Sequence, residues 1–131
     1  MKLGFIGTGE ITKAVVIGVL GSKIKFQKIY LSKRNSKISA FLTKKNKKIQ
    51  IEKNNQDLIN KSDWVFLAVT PKVGNKIIKK LHFKRRQTIV SFISTIQLPK
   101  LKKLTKNRTN IVRAIPCLLY TSDAAADRSC V

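Results

Sequence analysis

The chain has 131 residues, enough for one core-bearing domain and too few for two ordinary ones. Hydrophobic residues make up 43% of it, which predicts a globular fold; no apolar run approaches the roughly 20 residues of a membrane span, and the start at Met1 lacks a secretory cleavage signal, so a cytoplasmic protein with no membrane partner is expected. The net charge of +22 comes mostly from 22 lysines spread along the chain, with few aromatic platforms for bases, which predicts weak, salt-sensitive contact with polyanions and no specific nucleic-acid partner.

In chain order, residues 2–6 read as a buried strand running straight into Gly7-Thr8-Gly9-Glu10-Ile11-Thr12. A largely apolar helix follows over residues 11–20. Strand, glycine turn and helix in this order form the setting in which a dinucleotide's pyrophosphate binds. Gly7 allows the tight turn, and Gly9 lets the backbone approach the phosphates without a side chain in between. The helix start offers free N–H groups and a partial positive charge. Thr12 stands where a third glycine usually permits close packing of helix on strand. An extra side chain in a tight contact costs about 1–3 kcal/mol unless the helix shifts outward.

The next strand, 28–31, ends in Ser32-Lys33-Arg34-Asn35. An acid here would hydrogen-bond a ribose 2′-hydroxyl and select NAD. None is present; a hydroxyl and two cations stand in its place, and an Arg fork can grip a 2′-phosphate. The expected cofactor is therefore NADP. A helix over 37–45 places Ile38, Phe41 and Leu42 on one face, and a short strand follows at 49–51. Residues 64–69 and 88–92 are apolar strands. Helices over 74–81 (Ile77, Ile78, Leu81) and 98–104 (Leu98, Leu101, Leu104) surround the second of these. A last strand is predicted at 110–114. Strands alternating with helices imply right-handed crossovers and a single α/β domain with a Rossmann-type, doubly wound parallel sheet.

Composition changes near residue 117. Residues 1–116 carry 27 basic and four acidic residues, whereas 117–131 contain no lysine and the run Ala124-Ala125-Ala126. The stretch from Cys117 to Ala125 resembles the translation of sequencing-adapter read-through. The domain is thus expected to span 1–116, with 117–131 a non-native tail. The two cysteines, Cys117 and Cys130, both fall in that tail and suggest no disulfide framework. His82 is the single histidine, and no His/Cys cluster suggests a metal.

Five pieces in order resemble the pyrroline-5-carboxylate reductase family: Gly-Phe-Ile-Gly-x-Gly at 4–9, Ser-x-Arg-Asn at 32–35, Ser-Asp-x-Val-Phe-Leu-Ala-Val-x-Pro at 62–71, Ile-Val-Ser at 89–91 and Val-Arg-Ala-x-Pro at 112–116. The family reduces a cyclic imine to proline with NAD(P)H. The resemblance implies that Asn55 lies near the adenosine ribose; its plainer role would be to cap the helix it precedes. It also implies that Ala68, Val69, Thr70 and Pro71 pass along the cofactor, and that Ile93, Ser94 and Thr95 lie beside the nicotinamide. The family usually has Asn-Met where Glu10-Ile11 stand, lysine at Thr70, and two small residues and a glycine at 93–95. Glu10 brings a negative charge close to the phosphates. These departures suggest a divergent, reductase-like branch.

The resemblance places the substrate site and the dimer interface in a C-terminal helical domain, expected to be absent from these 131 residues. No catalytic residue is therefore named, and the fragment alone is expected to be inactive. An imine substrate and a homo-oligomer are expected of the full-length enzyme. Other readings stay open: another reductase or dehydrogenase with the same NADP module, such as a β-hydroxyacid dehydrogenase or a deazaflavin-linked NADP reductase; a non-catalytic NADP sensor; or, as a different class, a basic nucleic-acid-binding protein.

Overall fold

A computed structural model of the chain describes residues 1–33, 36–93, 95–106 and 110–114. Six strands form one parallel sheet: β1 (Lys2–Ile6), β2 (Lys28–Ser32), β3 (Ile49–Glu52), β4 (Trp64–Leu67), β5 (Thr88–Ser91) and β6 (Asn110–Arg113), in the order β3-β2-β1-β4-β5-β6. The order reverses at β1, whose carboxyl end is the switch point where doubly wound sheets bind ligands. The expected fold class is the one observed. The proposed boundary at residue 117 lies outside the described residues.

Among the described residues, five α-helices join the strands: α1 (Glu10–Leu20), α2 (Ser36–Thr43), α3 (Asn55–Lys61), α4 (Pro71–Ile77) and α5 (Leu98–Leu104). Two apolar clusters fill the space between sheet and helices. Leu3, Phe5, Ile29 and Leu31 pack with Val16 of α1 and with Ile38 and Leu42 of α2. Val65, Leu67 and Ile89 pack with Leu58 and Ile59 of α3, Ile78 and Leu101. Each such side chain contributes about 1.5–3 kcal/mol when fully buried. On the first of these faces the Phe5 and Phe66 rings stack at 4.4 Å, joining β1 to β4 across the switch point.

Several ends differ from the sequence expectations. Helix α4 starts at Pro71, three residues before the expected start at 74, because Thr70 caps it and Pro71 occupies the first turn. Its last turn tightens into a 3₁₀ segment, Ile78–Lys80. Strand β4 stops at Leu67, so Ala68 and Val69 belong to the loop beyond it. Helix α3 buries only Leu58 and Ile59 and shows no long apolar periodicity. It fits closely because Gly4 lies beneath it: a Cβ at Gly4 would sit 2.1 Å from Ser62 Oγ and 2.6 Å from Leu58 Cδ2.

Candidate functional site

The loops that leave β1, β2, β3 and β4 converge at one edge of the sheet. Gly7 turns there with φ +95°, and a Cβ on it would lie 2.3 Å from the Ala68 carbonyl oxygen. Both facts require glycine. At Gly9 the need is different. Its backbone is extended, and nothing lies within 4 Å of where a Cβ would stand. That position borders open space on the side where phosphates are expected. Gly9 caps α1 without a side-chain hydrogen bond, and the first bond of the helix runs from Lys13 N–H to the Gly9 carbonyl at 3.0 Å. The amides of the first turn thus receive no side-chain cap.

The turn is braced from three sides. Thr12, fully buried, donates its hydroxyl to the Gly7 carbonyl. The side chain in the third-glycine position therefore closes the turn and fills a place in the packing. Thr8 donates to the Ser32 carbonyl at 2.7 Å, which uses its single hydroxyl proton. The remaining 3.0 Å contact between the two hydroxyls then takes the Ser32 proton, while Ser32 Oγ accepts the Gly7 N–H at 3.0 Å. Ser32 was expected to meet a 2′-phosphate. It is 6% exposed, and its proton is engaged with the turn.

A cavity of about 670 Å³ opens beside the turn, lined among others by Gly7, Ser32, Lys33, Lys53, Asn55, Val69, Val73 and Lys76. Three lysines and no carboxylate face it among the described residues. A second hollow of about 360 Å³ continues across Gly7, Thr8 and Gly9 to Ala68, Val69, Thr70 and Val73. Asn55 is the first residue of α3 and not its cap. Asn54 holds that place, its side chain accepting the Asp57 N–H at 2.8 Å, and Asn55 lines the cavity. Thr70 caps α4 by accepting the Val73 N–H, and Pro71 follows at the helix start. Glu10 is exposed and forms no ion pair among the described residues, while Ile11 is half-buried. Thr95 is exposed after β5, whereas Ile93 is buried in the core, its methyl close against Gly74. Arg34, Asn35 and Ser94 lie outside the described residues.

The turn, the ends of β2 and β4 and the start of α3 line these two adjoining spaces. Lys53, Lys76 and Val73 join the cavity without having been foreseen, the lysines because they were three among many. The carboxylate nearest the β2–β3 end, Glu52, is buried. Its Oε1 meets Lys61 Nζ at 2.6 Å, and its Oε2 accepts Gln50 Nε2 at 2.7 Å. The hydrogen bond to Glu52 raises the Lys61 ammonium above its ordinary 10.5, keeping it charged through the neutral range.

A family described as NADP oxidoreductase, coenzyme F420-dependent, matches residues 2–95. Pyrroline-5-carboxylate reductase 3 of Danio rerio is 27% identical over 126 residues, covering 91% of this chain and 43% of that protein. The 1-pyrroline-5-carboxylate reductase of Streptococcus pyogenes aligns with a TM-score of 0.68 at 26% identity, over 88% of this chain and 42% of that one. The Plasmodium falciparum pyrroline carboxylate reductase, crystallised with NADP, gives a TM-score of 0.73 at 21% identity over 88% of this chain and 42% of that one, a likeness of fold. The chain thus spans less than half the length of the relatives it matches. The glycine turn, the switch-point cavity and a matched span of more than half its length assign the chain to the NADP oxidoreductase, coenzyme F420-dependent family, as a dinucleotide-binding oxidoreductase domain resembling that of the pyrroline-5-carboxylate reductases.

Proposed function

We propose that the chain is the NADP-binding part of a cytoplasmic reductase that acts on a cyclic imine of the pyrroline-5-carboxylate kind. The observation that carries this reading is the turn at Gly7, closed against the Ala68 carbonyl and opening onto uncapped amides of α1. The amides from Gly7 to Ile11, with Thr8, Gly9 and Glu10 between them, would hold the pyrophosphate. Lys33 and Arg34 would take the 2′-phosphate, with Ser32 bracing the turn behind them. Asn55 would meet the adenosine ribose. Ala68, Val69, Thr70 and Pro71 would border the middle of the cofactor, and Ser94 and Thr95 its nicotinamide end. When bound, NADPH supplies the hydride; the domain's share is to hold the ring toward the imine carbon. The imine site and a homo-oligomeric interface are proposed for the remainder of the longer relatives, and so no catalytic residue is assigned. Residues 117–131 are proposed as a tail that takes no part.

The family's description favours a second reading, a deazaflavin-linked NADP reductase using the same module. Both readings require NADP at the same turn. Titrating the chain with NADPH tests them together: saturable binding is expected, with no proline formed from added imine. Gly7→Val should abolish binding, because the side chain meets the Ala68 carbonyl and strains the backbone by about 1–3 kcal/mol. Absence of NADPH uptake by the folded chain would overturn the dinucleotide reading. Proline formation by this polypeptide alone would overturn the division of labour.

A further inference from the structure

We propose that Lys53, immediately after β3, is a specificity-determining residue that reads the 2′-phosphate of NADP together with Lys33; this rests on the dinucleotide reading above. Ser32 and Glu52 are paired in register at the ends of β2 and β3. The next residue on each strand is a lysine, so Lys33 and Lys53 leave neighbouring strand ends side by side. Beside the main cavity runs a groove of about 370 Å³ that reaches Ser36 and Ser39 of α2. Among the described residues, Lys33 and Lys53 are the two that line both spaces. They stand at the junction between the part of the cavity beside the glycine turn and the groove beside α2.

Their electrostatic situation is incomplete without an anion. Among the described residues, neither lysine forms a hydrogen bond or an ion pair. Glu52 also lines the groove, but Lys61 and Gln50 occupy its two oxygens. A phosphate monoester, close to a dianion at neutral pH, placed at the junction that both lysines line would be attracted by the two cations together. The Ser32 hydroxyl is buried and bonded to Thr8 and to the Gly7 N–H, so it braces the turn, while the two exposed lysines beside it line the open space. Recognition of the extra phosphate therefore passes to the cations, and β3 supplies one of them.

The test compares the unaltered chain with Lys53→Ala, Lys53→Arg and Lys103→Ala, measuring affinity for NADPH and NADH at fixed salt. Lys103 is exposed on α5 and removes the same charge elsewhere. Lys53→Ala is expected to weaken NADPH about tenfold and NADH less than about twofold, the size of one lost charge-assisted contact. Lys53→Arg should keep the preference, and Lys103→Ala should leave it intact. Adenosine 2′,5′-bisphosphate should lose affinity for Lys53→Ala in step with NADPH, and adenosine 5′-monophosphate should not. Equal losses of NADPH and NADH, an unchanged preference in Lys53→Ala, or no preference in the unaltered chain would overturn the assignment while leaving dinucleotide binding standing. Failure of the unaltered chain to bind either dinucleotide would overturn both.

Discussion

At the scale of single residues, the glycine turn depends on hydroxyls as much as on glycines. Thr12 ties the Gly7 carbonyl, and Ser32 receives the Gly7 amide, so both polar groups of the turn's positive-φ glycine are bound by side chains. A net hydrogen bond of this kind stabilises by about 0.5–1.5 kcal/mol, and leaving a buried partner unmet costs about 1–3 kcal/mol. Ser32 belongs to this bracing set, which separates its role from that of Lys33 next to it. Ser32→Ala is therefore expected to weaken NADPH and NADH alike, by about three- to tenfold, and to lower stability by about 1–2 kcal/mol in urea unfolding. A loss confined to NADPH would return the hydroxyl to the 2′-phosphate and contradict the proton assignment. Glycine spacing pointed to Gly7 and Gly9 in advance. The use of Thr8 and Ser32 on each other was not legible, because they stand 24 residues apart and only the parallel pairing of β1 with β2 brings them together.

At the scale of elements, the inner strands β1, β2 and β5 were legible because parallel strands buried on both faces show as short apolar runs. Helix α3 showed only as a cap position and not as an apolar repeat, since its sequence, Asn-Gln-Asp-Leu-Ile-Asn-Lys, carries two buried residues in succession. Its placement comes from contacts distant in sequence. Beneath it, Gly4 admits its close approach; at its far end, buried Gln87 donates to the carbonyls of Ile59 at 2.6 Å and Ser62 at 2.8 Å. The same side chain accepts the Lys84 N–H at 2.7 Å. One glutamine thus satisfies three backbone groups and joins the end of α3 to the approach to β5. Gln87→Ala is expected to cost about 2–4 kcal/mol, the sum of a small cavity and buried groups left unmet. Thermal unfolding checks this, and a change under about 0.5 kcal/mol would mean that water replaces the amide without loss. Because α3 begins at the cavity with Asn55, dinucleotide affinity should fall in the same variant through displacement of that end.

At the scale of the whole molecule, charge and fold make separate contributions to binding. The net charge of +22 attracts any polyanion at long range, whereas the switch-point cavity offers backbone amides and a few specific cations. The two respond differently to salt. Duplex nucleic acid held by scattered lysines releases many counterions, so its affinity falls by orders of magnitude between about 50 and 200 mM salt. A dinucleotide carries few charges, and part of its hold comes from neutral N–H donors, so the same change should weaken it by about tenfold or less. Parallel titrations with NADPH and with a random-sequence duplex across this range separate the two contributions. The expected result is a steep fall for the duplex, with no dependence on its sequence, and a shallow one for NADPH. A duplex that stays tightly bound at about 200 mM and discriminates between sequences would instead make nucleic acid a specific partner of this basic surface, because counterion release by itself carries no sequence information.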